Sequence, residues 1–307
     1  MALGKVRFMR HLGFLLETLL VVPLGTLISF LPWRVGRAFG RFGGALVFSL
    51  GKSYIKWAWH NLDIIYAENP LSKERKLRIV KNLYMNLGTV LFEYLKIGSV
   101  TPENYEKFVN IENSEAVERA LNEKKGVLAI AAHIGNWEYL GSVGAKLGKN
   151  VAAIIYRQRN PYTDRWLKNI REKKGKVTCF YDDITSMPRV LRHLKNNGIL
   201  GILADETHSL QPIVVPFFGI PSPAAPGAAK IHLRNRTPIV FCFSVKQNDG
   251  RYLLSFDGPH HFRKSGDLRK DCEYIMSQIN KKCEEIIKKY PDQWFCLLQA
   301  GWENRAG

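Results

Sequence analysis

Apolar positions change their spacing several times along this chain, and each change marks an element. From Leu12 to Trp33 they are nearly continuous, with Glu17 as the only charge and prolines at positions 23 and 32. A run of this length just reaches the roughly 20 residues that span a bilayer core. Lys5, Arg7 and Arg10 precede it, and Arg34, Arg37 and Arg41 follow it. A cleaved signal peptide fits poorly, because the run is long and no small-x-small site ends it. A spanning helix and a helix lying in the interface both fit, so the reading is a retained membrane anchor. Basic residues at both ends blunt any inference about its orientation. Phe39 to Leu50 is Gly-rich and apolar and extends the membrane-contacting region. Ser53 to Tyr66 then mixes Trp57, Trp59 and Tyr66 with Lys56 and His60, a composition suited to headgroup level.

Beyond Ser72, an N-cap residue, the spacing becomes helical. Leu77, Val80, Leu83, Tyr84, Leu87, Leu91 and Tyr94 form one stripe that packs on a core. Tyr105 to Ile111 reads as a strand and Ser114 to Glu123 as a short amphipathic helix. Compact apolar runs follow at Val127–Ala132, Asn150–Tyr156, Val177–Tyr181 and Ile199–Ala204, all of buried-strand type. Helices separate them, opening near Trp137-Glu138 and covering Asp164–Lys174 and Met187–Asn197. Gly126 to Tyr156 is thus a β-α-β unit. Ile213 to Gly219 is a strand leading into a loop. Ser222 to Ala229 is small and Pro-rich, suited to close backbone approach or a flexible lid. Ile239–Val245 and Tyr252–Phe256 flank Asn248-Asp249-Gly250 as a hairpin, and Asp267–Tyr290 is a polar amphipathic helix. Alternating strands and helices predict an α/β fold: one domain with a central, mostly parallel mixed sheet flanked by helices.

Sites in such sheets gather at the carboxyl ends of strands. Three predicted strand ends carry chemistry: His133 with Glu138 five residues on, Arg157 with Arg159, and Asp205 with Glu206. Across a strand-to-helix turn, His133 and Glu138 can converge as a general base and its orienting carboxylate. The same turn also fits a plain structural role, with Asn136 as an N-cap and Glu138 favouring the helix dipole. The other histidines show no metal-ligand pattern, so no metal is expected.

Charge narrows the partners. Forty-five basic against 27 acidic residues leave a net charge of +18, which favours anionic surfaces. There is no zinc-finger spacing and no RNP-like run, so the anchor turns this surplus toward a membrane and away from nucleic acid. Cys179, Cys242, Cys272, Cys283 and Cys296 are odd in number and lack C-x-x-C spacing, which argues against a disulfide framework or thiolate metal site. They read as small core residues.

Together these motifs identify a resemblance. The chain resembles the late acyltransferases of lipid A biosynthesis, the lauroyl/myristoyl type, and related glycolipid acyltransferases. The likeness is carried by the apolar start with Pro23, His60-Asn61-Leu62, Asn86-Leu87-Gly88 with Glu93-Tyr94, and His133 with Glu138 as an H-x4-E/D motif. Tyr156-Arg157, Asn160-Pro161, Asp164, Asp205, Val215–Gly219 and Tyr290–Trp294 continue it. The resemblance implies a glycerophosphate-acyltransferase-like fold, with an anchor over residues 1–45 and a catalytic domain over 46–307. It implies transfer of an acyl chain from acyl carrier protein or acyl-CoA to a hydroxyl of a membrane glycolipid, without a further cofactor. His133 would be the base and Glu138 its partner. Arg157, Asp205, Asn136 and Gly135 would contact substrate or oxyanion, and Phe217 and Phe218 would line an acyl channel. It implies a bacterial inner membrane location with the catalytic domain facing the cytoplasm. Two departures stand out: Asp205-Glu206-Thr207 replaces a usual Asp-Gln-Asp, and Leu298–Trp302 replaces a His-Arg-Arg-Trp run. A thioesterase with the same pair, or a non-catalytic basic membrane-binding protein, is the alternative.

Overall fold

The computed structural model describes residues 2–299 apart from 207, 208 and 210, without the side chains of 2–10 and 52–54. Thr207 and residues 300–302, singled out above, lie outside the described residues. Four helices come first: α1 (Ala2–Ser29), α2 (Trp33–Leu50), α3 (Lys52–Ile65) and α4 (Lys73–Leu95). Segment His11–Ser29 of α1 is long and apolar enough to cross a membrane, by length and composition. It is scarcely covered by the rest of the protein, with Leu19, Leu20, Leu27 and Phe30 all exposed.

The Gly-rich stretch after Trp33 is a helix because its glycines are packing sites. A Cβ on Gly40 would meet the Gly88 carbonyl oxygen at 2.3 Å, and one on Gly44 would meet the Tyr84 oxygen at 2.1 Å. Helix α2 therefore crosses α4 backbone against backbone. Its opposite face exposes Val35, Phe39, Phe42 and Leu46. Gly88→Val is expected to force the two helices apart and lower stability by roughly 1–3 kcal/mol, the usual cost of overpacking. Thermal unfolding of the detergent-purified protein measures it, and an unchanged midpoint would contradict the close crossing.

The α/β part runs β1 (Val109–Glu112), α5 (Glu115–Asn122), β2 (Val127–Ala131), α6 (Glu138–Lys146), β3 (Val151–Ile155), α7 (Pro161–Asn169), β4 (Thr178–Tyr181), α8 (Met187–Lys195) and β5 (Ile199–Leu203). A hairpin, β6 (Ile213–Phe217) with β7 (Ile220–Ala224), leads to α9 (Gly227–Asn235), β8 (Ile239–Lys246), β9 (Tyr252–His260) and α10 (Leu268–Lys289). Seven strands form one sheet in the order β1-β9-β8-β2-β5-β3-β4, and only the β8–β9 pair is antiparallel. This is the mixed, mostly parallel sheet expected from the alternation.

Strands β2 and β3 form the expected β-α-β unit with α6, and β5 lies between them in the sheet. Two local expectations are corrected. Ser222–Ala229 is not a lid: its first half pairs with β6 and its second half starts α9. Helix α7 ends at Asn169 and continues as a wider π turn through Lys174.

The two faces of the sheet differ in side-chain size. Leu128, Ile130 and Leu200 point to a core shared with α3, α4, α9 and α10. The alternate positions Ala129, Ala131, Ala153 and Gly201 face the other way, toward α6. Because side chains alternate along a strand, one apolar sequence serves a packed face and an open one. All five cysteines are free and buried.

Candidate active site

Strand β2 ends at Ala131, and the chain then turns sharply through His133, Ile134 and Gly135 before α6 begins. Gly135 has φ +55°, and a Cβ there would meet the Ser244 carbonyl oxygen at 2.0 Å, so only glycine fits. The turn is clamped by the C-terminal segment. Gly135 N donates to Gln293 O at 2.9 Å, and Phe295 N donates to His133 O at 2.8 Å.

The carboxylate that holds His133 comes from the adjacent strand. Asp205 follows β5, which pairs with β2 in parallel register. His133 Nδ1 and Asp205 Oδ1 lie 2.9 Å apart. Asp205 Oδ2 accepts the His133 backbone N–H at 2.9 Å and the Trp294 indole N–H at 2.8 Å. The Asp205 side chain is fully buried. Both N–H groups can only donate, so Oδ2 accepts from each, and with the carboxyl ionised Oδ1 accepts from His133 Nδ1–H. Burial works against charge on Asp205, but the His133 contacts and Trp294 outweigh it and hold the carboxyl below its ordinary range. Burial likewise opposes the imidazolium, yet Asp205 outweighs it and raises His133 above the ordinary histidine value. With Nδ1–H fixed on Asp205, Nε2 carries the free lone pair.

Glu138, expected to hold the imidazole, is gripped by Arg171 instead. Arg171 Nη2 and Nε donate to Glu138 Oε1 at 2.7 and 3.0 Å. Glu138 reaches His133 only as a weaker, longer-range charge alongside Glu206. The reason is topological: α6 carries Glu138 away toward the π turn after α7, whereas β5 ends beside β2. Arg157 is also elsewhere. It stacks on the Tyr181 ring at 3.8 Å, pairs with Asp183 at 3.3 Å, and its side chain is 65% exposed. Asp205 does not orient it. Asn136 is fully buried and donates to Glu93 Oε2 at 2.8 Å, while Arg37 Nε donates to Glu93 Oε1 at 2.6 Å. Asn136 thus braces the turn from behind and does not cap α6. Phe217 and Phe218 pack against Trp294.

The space for substrate lies on the open face of the sheet. A cavity of about 770 Å³ extends from His133, Trp137 and Phe295 along β2, β5 and β3 beneath α6. Ala129 and Ala153 are both in register with Gly201, so three strands present their smallest side chains in one row. Helix α6 contributes Gly141 and Gly144 opposite. Five strand residues at about 3.3 Å each give a floor about 16 Å long. Phe217 and Phe218 do not line it. The ligand atoms of His133, Asp205 and Cys296 lie within 4.8 Å of one another, a set that could take a metal ion. The 2.9 Å His133–Asp205 separation is that of a hydrogen bond.

A His–carboxylate pair on the wall of a mostly apolar cavity suits chemistry on a long-chain substrate, and comparison with known proteins names the family. The model of the bacterial lipid A biosynthesis acyltransferases matches residues 5–302. The chain belongs to that family. It is therefore an enzyme, an acyltransferase of lipid A biosynthesis. A lipid A biosynthesis acyltransferase of Haemophilus influenzae is 20% identical over 277 residues, covering 89% of this chain and 83% of the relative. Lipid A biosynthesis acyltransferase 2 of Shigella flexneri is 22% identical over 269 residues, covering 87% and 81%.

Among the acyltransferase's site residues, the sequence reading missed Arg171 and the cavity wall. Arg171 sits in a polar stretch with no distinguishing signal. The wall did leave one: alternation of large and small residues inside wholly apolar strands.

Proposed function

We propose that this acyltransferase moves a fatty acyl chain from a thioester, carried by acyl carrier protein or coenzyme A, to a hydroxyl of a lipid A precursor or related glycolipid. The observation that carries the reading is His133, its Nδ1 tied to a buried carboxylate, at one end of a cavity long and apolar enough for an acyl chain. In this mechanism His133 Nε2 takes the proton of the acceptor hydroxyl as its oxygen attacks the thioester carbonyl. Asp205 steadies the imidazolium that forms. The tetrahedral oxyanion is met by the positive N-terminal end of α6, with Arg171 on the cavity wall. Collapse breaks the carbon–sulfur bond, and the departing thiolate takes the proton from His133. The ester and a free thiol result. Helix α1 and the apolar face of α2 hold the protein in the bacterial inner membrane, with the catalytic part on the cytoplasmic side, where thioester donors are made.

Mass spectrometry of the host glycolipids with and without the gene tests the reading. Loss of one acyl chain from a glycolipid on deletion is the expected result; an unchanged lipid profile would refute it. The cavity adds a finer test in the same measurement. Gly201→Leu places a side chain at the centre of the small-residue row and is expected to shift the transferred chain to a shorter length. Unaltered chain length would place the acyl group outside this cavity.

A further inference from the structure

Helix α1 is fastened to the catalytic part along one side for most of its apolar length. Phe14, Thr18, Val22, Gly25 and Ser29 are the positions covered there, at least in part, and their three- and four-residue spacing makes them one stripe. Asn160, itself buried at the start of α7, donates from Nδ2 to Phe14 O at 3.0 Å and to Thr18 Oγ1 at 3.1 Å. A Cβ on Gly25 would meet the Trp166 ring at 2.6 Å, so α1 and α7 touch closely. At the far end Lys96, which follows α4, donates from Nζ to Ser29 O at 3.0 Å and to Leu31 O at 2.8 Å. The other sides stay open, with Leu12, Leu16, Leu19, Leu20, Leu24 and Leu27 exposed.

Phe14 to Ser29 covers about 22 Å at about 1.5 Å per residue, most of the roughly 30 Å of a hydrocarbon core. A helix that crossed the core would draw its docked partners through much of that depth. Those partners are polar. Exposed Arg159 and Arg165 lie on either side of Asn160 in the chain, and residues 156–160 are irregular backbone. Charged side chains are costly inside a bilayer, and irregular backbone is not tolerated against lipid. A helix lying along the membrane surface meets neither cost. Its leucines enter the acyl boundary while the docked side stays at headgroup level. Helix α2 fits the same arrangement. It packs on α4, as α1 does, and exposes Val35, Phe39, Phe42 and Leu46 at helical spacing. A lone spanning α1 would leave that second apolar row without a partner.

We propose that α1 is an in-plane anchor: with α2 it seats the catalytic part on the surface of one leaflet and does not cross the bilayer. The inference rests on the membrane attachment proposed above and is independent of acyl transfer. It also bears on the site. Gln158, two residues before Asn160, lines the cavity that holds His133, so the seam with α1 keeps that wall of the cavity close to the lipid surface.

The test locates both ends of the anchor in the full chain. All five native cysteines are buried, so a membrane-impermeant maleimide reports an introduced thiol. His11→Cys, at the start of the apolar segment, is compared with Arg269→Cys, on an exposed turn of α10. In inverted and right-side-out vesicles of the host membrane, both are expected to be labelled in the same preparation, the inverted one. Labelling in opposite preparations would overturn the in-plane anchor. Labelling of both in right-side-out vesicles alone would support the in-plane helix and overturn the cytoplasmic placement. Recovery of the wild type in the soluble fraction would overturn the anchor and the membrane attachment together. Depth gives a second measurement. Leu16, Leu20 and Leu27 share the face opposite the docked stripe. Fluorophores on Leu16→Cys, Leu20→Cys and Leu27→Cys, quenched by lipids brominated at stepped positions, should report one common depth. A label at Leu20 near the bilayer centre with one at Leu27 near the headgroups would overturn the proposal.

Discussion

Replacing His133 with alanine is expected to slow acyl transfer by about 10²–10⁴-fold, the usual contribution of a positioned general base. The fold should survive the change. Asp205 keeps the backbone N–H of residue 133 and the Trp294 indole as donors on Oδ2, so no buried carboxylate is stranded. The loss should fall on kcat, because the imidazole acts on the attacking hydroxyl, and the cavity that binds the chain is untouched. Transfer assayed at saturating thioester reads this directly. Added imidazole, small enough for the vacated space, should restore part of the rate. Full activity in His133→Ala would remove the base from the mechanism.

Asp205→Asn should be almost as severe, for a different reason. The asparagine carbonyl can still accept from the backbone and from Trp294. Its amide then faces His133 Nδ1 and donates to it, which sends the imidazole proton to Nε2, where the free lone pair is needed. A wrong tautomer of this kind costs on the order of 10²–10⁴-fold. The pH profile adds a second signature. His133 must be neutral to act, so activity falls as pH drops through its raised pKa. Without the carboxylate, burial is left as the dominant influence and lowers that pKa. The acid limb of kcat/KM should move to lower pH in Asp205→Asn and stay nearly in place in Glu138→Gln. A limb that follows Glu138 would return the holding role to the local partner.

That contrast marks what the sequence could and could not reveal. Strand ends are local features: apolar, β-branched runs closed by turn residues, and β2, β3, β4 and β5 were all legible within a residue or two. The order in which strands lie side by side is not local. Glu138 is five residues from His133 and Asp205 is 72 away, so spacing favours the former. Only the insertion of β5 between β2 and β3 brings Asp205 to the ring. The same insertion leaves Arg157 one strand too far. Helix α2 was masked because its glycines read as a membrane-contacting stretch, whereas Gly36, Gly40 and Gly44 are contact points with α4. The start of α9 was masked likewise, by prolines that precede it. Direct bonding of Trp294 to Asp205 required knowing that residues 293–295 return along the His133 turn.

The row of Ala129, Gly201 and Ala153 has a thermodynamic consequence. A sheet face lined by its smallest side chains forgoes the dispersion contacts that a packed interior supplies, so the substrate-free fold is under-filled over a large apolar area. An acyl chain entering the cavity becomes, in effect, missing core. Whatever binds only the folded state stabilises it in proportion to its occupancy. Under the proposed acyl-transfer reading, substrate loading and conformational stability are thus one coupled equilibrium, and the transferred chain is also a part of the protein's own packing.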